Sequence, residues 1–229
     1  MPEEIPQILN HFTYFSFTEA YYPLPTSTKT ELQHSWLENL KPLAEQVYLY
    51  QIYPTSSQAD LFAWSTLPVN SPGQFKTFFT AFARATNPFR QFLQPVQVLW
   101  GVTRPSAYTR TRSTQEIDPL NPERKPYLVM YPFVKTPEWY LLGRETRQGM
   151  MNEHIRIGKQ YPQITQLLLY SFGLQDQEFI VVYEMEDLPL FSKLVTELRD
   201  TEARRYTQRD TPLTAAVYHP AEETLSLWA

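Results

Sequence analysis

The chain carries four histidines, His11, His34, His154 and His219, and no cysteine. Disulfides, iron–sulfur clusters and thiolate ligation are therefore excluded, and the histidines are the candidate ligands for iron chemistry. His154 is the best placed of the four. It lies in Met150-Met151-Asn152-Glu153-His154-Ile155-Arg156-Ile157-Gly158, where Met150, Met151, His154 and Ile157 recur at helical spacing and put the ring on an apolar stripe. Two readings stand at this point: a core histidine satisfied by its neighbours, or a metal ligand. A ligating histidine usually donates its other ring N–H to a carboxylate or a carbonyl. Glu202, in Thr201-Glu202-Ala203-Arg204-Arg205-Tyr206, is a candidate partner, and its other reading is a surface glutamate.

The elements that must position these groups come next. A chain of 229 residues is long enough for one large domain or two smaller ones. Aromatics reach 15%, with 15 Tyr and 14 Phe, which suits either a flat aromatic ligand or simply aromatic-rich strands. A net charge of −4 without a basic stripe argues against nucleic acid as a partner. Met-Pro-Glu-Glu-Ile-Pro has neither the basic region nor the apolar run of a secretory signal. Apolar runs such as 167–170 and 179–183 are too short to span a bilayer. The expectation is a soluble cytoplasmic protein.

Period-two and helical patterns, punctuated by 20 prolines, give strand 11–17, helix 27–46, strands 47–53 and 60–66, a helix opened by Ser71-Pro72, and strand 96–103. Ser27 or Thr28 is the expected cap of the first helix. Residues 105–125 are polar, proline-bearing and arginine-bearing, and read as a linker that could also cover a site. Strand 127–134, one long helix 137–158 capped by Thr136, strands 164–172 and 178–184, helix 188–199 and strand 214–218 follow. Asp60-Leu61-Phe62-Ala63-Trp64 is similar to Glu178-Phe179-Ile180-Val181-Val182, and Phe75-Lys76-Thr77-Phe78-Phe79 to Phe191-Ser192-Lys193-Leu194-Val195. Both halves thus read βαββαβ. The implied fold is α+β: two tandem ferredoxin-like halves, 1–104 and 126–229, whose antiparallel sheets pack on each other.

Several segments of the second half stand in a fixed order. They are Met130-Tyr131-Pro132-Phe133-Val134-Lys135, Glu138-Trp139-Tyr140-Leu141-Leu142, Asn152-Glu153-His154, Ser171-Phe172-Gly173-Leu174 with Gln177-Glu178-Phe179, and Leu198-Arg199-Asp200-Thr201-Glu202-Ala203. Together they resemble the chlorite dismutase family, which includes the coproheme decarboxylases. The resemblance implies a doubled, dimeric α+β barrel-like fold and a haem b or coproheme bound by the second half alone. That cofactor would be held non-covalently, since C-x-x-C-H is absent. By resemblance His154 is the proximal iron ligand and Glu202 the carboxylate bonded to it. The distal residue is Gln166 when counted back from Gly173, or Leu167 when counted forward from His154. A one-residue slip reverses the face of a strand residue, so the two counts exclude each other. Tyr131 and Lys135 match the Tyr-Pro-Xaa-Xaa-Lys segment of the decarboxylases, where the tyrosine forms a radical that attacks a propionate beside the lysine. Phe133, Trp139 and Tyr140 would line the ring.

The implied reaction is peroxide-dependent decarboxylation of coproheme III to haem b. The alternatives are chlorite decomposition to chloride and O2, against which the missing distal arginine counts, and a non-enzymatic tetrapyrrole binder or a cofactor-free scaffold. Arg110, Arg112 and Arg124 are candidate propionate ligands in the linker. A homo-oligomer, a pentamer by resemblance, is expected.

Overall fold

The computed structural model describes residues 7–108 and 113–229; Arg110 and Arg112 lie outside the described residues. The N-terminal half runs β1 (Gln7–Phe17), α1 (Thr26–Leu40), β2 (Gln46–Gln51), β3 (Leu61–Val69), α2 (Gly73–Thr86) and β4 (Leu93–Val102). The C-terminal half runs β5 (Tyr127–Lys135), α3 (Pro137–Leu141), α4 (Arg144–Gly158), β6 (Thr165–Tyr170), β7 (Phe179–Met185), α5 (Leu188–Arg199), β8 (Thr207–Arg209), β9 (Thr214–Tyr218) and α6 (Ala221–Ser226). Among the described residues no helix is long and apolar enough to cross a membrane.

The strand order β7-β6-β4-β1-β3-β2-β9-β5-β8 is closed by a further pairing of β5 with β7. Eight antiparallel strands therefore form a complete barrel, with β8 added outside on β5. Closure removes the edges that two separate sheets would expose. Strand side chains alternate between inside and outside. In β1, Phe12 and Tyr14 point into the barrel with Tyr48, Tyr50, Phe62 and Trp64. Leu9, Phe15 and Phe17 point out and are covered by Trp36, Leu37 and Leu40 of α1 and by Phe78 and Phe82 of α2.

The halves meet at two seams. One is β2 with β9, through Tyr50↔Tyr218 and Gln51↔Val217. The other is β4 with β6, where the ladder is a single pair, Val102↔Tyr170. Side chains extend that short ladder. Gln175 accepts from the Trp100 N–H at 2.8 Å and donates to the Val98 carbonyl at 3.1 Å, and the Ser171 hydroxyl donates to the Trp100 carbonyl at 2.7 Å. The turn that delivers Gln175 uses Gly173 at φ +67, a left-handed conformation that glycine adopts without strain.

Three expectations change. The long helix 137–158 is two helices, because Leu142 and Gly143 are extended, at ψ 144 and 150. Burying Trp139 of α3, at 3% exposure, outweighs helix continuity across Gly143, which is worth only about 1 kcal/mol at a glycine. α1 starts at Thr26 with Pro25, not Ser27 or Thr28, at the cap position, and stops short of the expected end as Pro42 enters a 3-10 turn. Arg124, a candidate propionate ligand by its place in the linker, is instead turned into the barrel. Its side chain is 2% exposed, lies over Tyr48 and Trp64, and pairs at 3.4 Å with Glu184, which also accepts from the Tyr50 hydroxyl. Residues 113–125 are thus pinned to the barrel, with Ile117 in its core.

Gly101 sits at the β4–β6 seam. A Cβ there would lie 2.7 Å from Ser171 Oγ and 3.0 Å from the Tyr170 carbonyl oxygen. Gly101→Ala is expected to cost about 1–3 kcal/mol, the range for overpacking. A urea midpoint lowered at unchanged slope would show it, whereas an unchanged midpoint would mean that the seam has room to spare.

Candidate functional site

The outer face of the C-terminal sheet carries Tyr131, Phe133 and Lys135 of β5, Gln166, Leu168 and Tyr170 of β6, and Phe179, Val181 and Tyr183 of β7. Register fixes this set. Gln166 pairs with Tyr183, Leu168 with Val181 and Tyr170 with Phe179, while Tyr131 pairs with Val181. Leu167 faces the other way, at 2% exposure in the barrel core beside Met130 and Val182. Of the two residues given by counting, Gln166 is the one on the face of Tyr131, and Leu167 does not reach it.

α4 lies over this face. Ile157, one turn beyond His154, packs into the outer cluster of Val181, Tyr183, Phe191 and Leu194. Residues three apart share a helix face, so His154 looks the same way. Its ring has no protein hydrogen-bond partner among the described residues. Burial pulls its pKa down to about 4, with the Lys135 ammonium adding to the effect and Glu153 opposing it. The imidazole is therefore neutral at neutral pH, the form that ligates a metal.

The two halves differ here. In the N-terminal half Trp36, Leu37 and Leu40 of α1 are fully buried, and Phe15 meets Trp36 at 5.1 Å, edge to face. No residue of α4 is fully buried. The sheet opposite α4 is lined by rings: Phe133 stacks on Phe179 at 4.7 Å, Phe172 meets Phe179 at 4.8 Å, and Tyr140 meets Phe172 at 6.1 Å. On the His154 stripe, two turns earlier, Arg147 keeps a buried Nε without a hydrogen-bond partner among the described residues. A neutral imidazole with no partner among the described residues, an aromatic-lined sheet opposite it and a guanidinium with a free buried Nε on the same helix face fit a flat iron tetrapyrrole bearing carboxylates.

Beside Phe133 the strand ends in a cationic cluster. A register shift between Val134 and Lys135 marks where β8 joins β5. The Lys135 ammonium lies 4.6 Å above the Trp139 ring and donates to the Ala203 carbonyl at 3.2 Å. Burial and then the nearby Arg204 lower its pKa to about 8, against a contrary pull from Glu178. Arg199 and Arg204 both bond Asp210, at 2.7 and 2.8 Å. Tyr131 is largely buried, which raises its pKa, while a hydrogen bond from Tyr183 and the charges of Arg199 and Arg204 work the other way.

Glu202 does not meet His154. It is exposed on a 3-10 turn, Glu202–Tyr206, and its carboxylate pairs with Arg205 at 3.3 Å. Only its main-chain N–H reaches α4, donating to Glu153 at 3.2 Å. Sequence reasoning missed three residues that the fold adds. Tyr183 stands between Gln166 and Tyr131. Glu178 accepts from the Lys135 N–H at 2.8 Å and from the Tyr140 hydroxyl. Arg147 shares the His154 stripe. For Tyr183 the signal was available, since it alternates with Val181 and Phe179 on one strand face.

A sequence profile of the chlorite dismutase family matches residues 28–218. The coproheme decarboxylase of Mycolicibacterium smegmatis is 28% identical over 164 residues, 72% of this chain and 69% of that protein. That of Staphylococcus saprophyticus is 31% identical over 170 residues, 66% of each. The chain thus spans about two thirds of the length of these curated relatives. A double variant of chlorite dismutase from Candidatus Nitrospira defluvii superposes with a TM-score of 0.83 at 24% identity, covering 97% of this chain and 95% of that one. A second variant gives 0.82 at 22% identity, covering 98% and 96%. At these identities the structural likeness is one of fold.

The depressed pKa of His154 has a stability consequence. The unfolded imidazole takes a proton near 6.5 and the folded one only near 4, so the stability present above pH 6.5 is lost as pH falls towards 4. His11, caged by Phe78 and Phe82 and lowered by burial to about 3, acts in the same sense. Ligand-free wild type should therefore lose thermal stability more steeply between pH 6.5 and 4 than His154→Leu does. Parallel curves for the two proteins would contradict the burial of this ring.

Proposed function

The chain belongs to the chlorite dismutase family, and from that premise we propose that it is a haem-dependent oxidoreductase that decarboxylates the propionates of coproheme with peroxide. One observation carries the reading: the register that puts Tyr131 and Gln166 on the sheet face that His154 faces, with the Lys135 ammonium close enough to act on the same imidazole. Two relatives named coproheme decarboxylase support it. The neutral amide of Gln166 supplies no fixed cation on the distal side for an anionic intermediate of chlorite chemistry.

In this reading His154 binds the iron through a ring nitrogen that no described residue competes for. Bound there, the iron tetrapyrrole with peroxide supplies one-electron oxidising power. Lys135 holds a propionate carboxylate as a charge-assisted pair, strengthened by its burial against Trp139. Tyr131 gives up an electron and its phenolic proton, then regains a hydrogen atom from the propionate carbon next to the ring. Tyr183 holds the oxygen through both changes by donating to it. Loss of a second electron and cleavage of the carbon–carboxylate bond leave a vinyl group. For each propionate, carboxylate, hydrogen peroxide and one proton become vinyl, CO2 and two waters. Phe133 and Phe179 would shield one flank from solvent, and the Gln166 side-chain amide would donate a hydrogen bond to peroxide from the sheet side. Family membership also leads us to propose a homo-oligomer, a pentamer, working in the cytoplasm.

Purified protein given coproheme and peroxide is expected to show two successive mass losses, each of CO2 plus two hydrogens. Tyr131→Phe should slow both by about a hundredfold or more, the scale for a group that moves a proton in the rate-limiting barrier. Equal rates in the two proteins would remove the proposal. Lys135 supplies a second check. Its charge is lost as pH rises through about 8, so carboxylate binding should fall above that pH in wild type and persist in Lys135→Arg. Coproheme titrations across pH 7–9.5 would read this, and a flat wild-type profile would exclude Lys135 as the anchor.

A further inference from the structure

The linker touches α4 at two places. Near its start the Tyr108 carbonyl accepts from Gln148 at 3.1 Å. At its middle Gln115 bonds two elements at once. The Gln115 side-chain amide nitrogen lies 3.2 Å from the Gly158 carbonyl, 2.9 Å from Tyr161 and 3.1 Å from Ile164. Gly158 is the last residue of α4, and the last carbonyls of a helix have no partner within it. The Gln115 main-chain carbonyl accepts from the Gln166 N–H at 2.8 Å, and the Ile117 N–H donates back to the Gln166 carbonyl at 3.0 Å.

One linker residue thus ties the helix of His154 to the strand residue Gln166, on the two sides of the candidate site. The loop between α4 and β6 is folded around its amide, because three carbonyls spaced three residues apart converge on one NH2 group. An amide has only two hydrogens, so the three contacts are shared. The main chain holds the same loop through the Tyr161 N–H to Gly158 at 3.1 Å and the Ile164 N–H to Tyr161 at 3.0 Å, and the Gln115 amide is the donor that joins these turns and the Ile164 carbonyl to the linker.

We propose that Gln115 is a positioning residue that sets the separation of His154 from Gln166, so that the linker between the halves controls how well a tetrapyrrole fits between them. This deepens the haem-site reading and in its second arm rests on it.

The requirement is for donors, which two substitutions separate. Gln115→Glu keeps the shape and replaces both donors with acceptors. Gln115→Lys supplies three. In the ligand-free full-length chain, hydrogen exchange is expected to quicken about tenfold or more in Gln115→Glu, the scale of one lost buried hydrogen bond. The change should fall both on the end of α4 with residues 159–164 and on Gln166–Leu168, leave β1–β4 unchanged, and be reversed in Gln115→Lys. Haemin affinity measured by absorbance should fall about tenfold in Gln115→Glu and return in Gln115→Lys. Exchange confined to the linker, exchange raised throughout the chain, or haemin affinity equal in wild type and Gln115→Glu would each overturn the proposal. Wild type that binds no haemin would instead remove the haem-site reading together with control of fit, while the exchange data would still decide whether Gln115 holds helix to strand.

Discussion

The register of β6 is the constraint on which the site depends. In a closed barrel each strand residue faces either the aromatic interior or the outer layer, and a shift of one position exchanges the two for the whole strand. Gln166 lies outside and Leu167 inside because the turn after β6 is fixed. Gly173 takes the left-handed conformation there, and Ser171 and Gln175 bond the edge of β4. From the other end, the linker brackets Gln166 with two main-chain bonds. The position of Gln166 opposite Tyr183, and of Tyr183 beside Tyr131, follows from that register.

The two halves solve the same packing problem differently. Each sheet presents an outer apolar face that helices must cover. In the N-terminal half Trp36, Leu37 and Leu40 complete the cover, and His11 is closed in by phenylalanines. In the C-terminal half α5 does the same with Phe191 and Leu194, whereas α4 brings His154 and Arg147 with no fully buried residue. A chain that needed only stability would gain from an apolar side chain at His154, because partly burying a neutral imidazole with no partner among the described residues is costly. The cost is concentrated on one face of one half.

Much of this was legible in the sequence, and the limits have physical causes. The βαββαβ order came from periodicity, and helix 188–199 and strand 214–218 are found with the expected bounds. The joining of the halves edge to edge rests on backbone pairs such as Val102↔Tyr170 that leave no side-chain pattern. The break at Leu142 and Gly143 depends on where Trp139 is buried, a tertiary effect that local propensity does not carry. β8 is too short to show a period, yet it brings Thr207 to Lys135. Glu202 and Arg124 mark the limit of reading charge from type alone: one turned to solvent, the other into the barrel.

The central claim is that the face between α4 and β5–β7 binds an iron tetrapyrrole through His154. Absorption spectra of wild type and His154→Ala, each titrated with haemin and with coproheme, address it most directly. The account predicts a saturable shift of the Soret band in wild type, one ligand per chain, that is lost or displaced to a different ligation spectrum in His154→Ala. Identical spectra and affinities in the two proteins would contradict it.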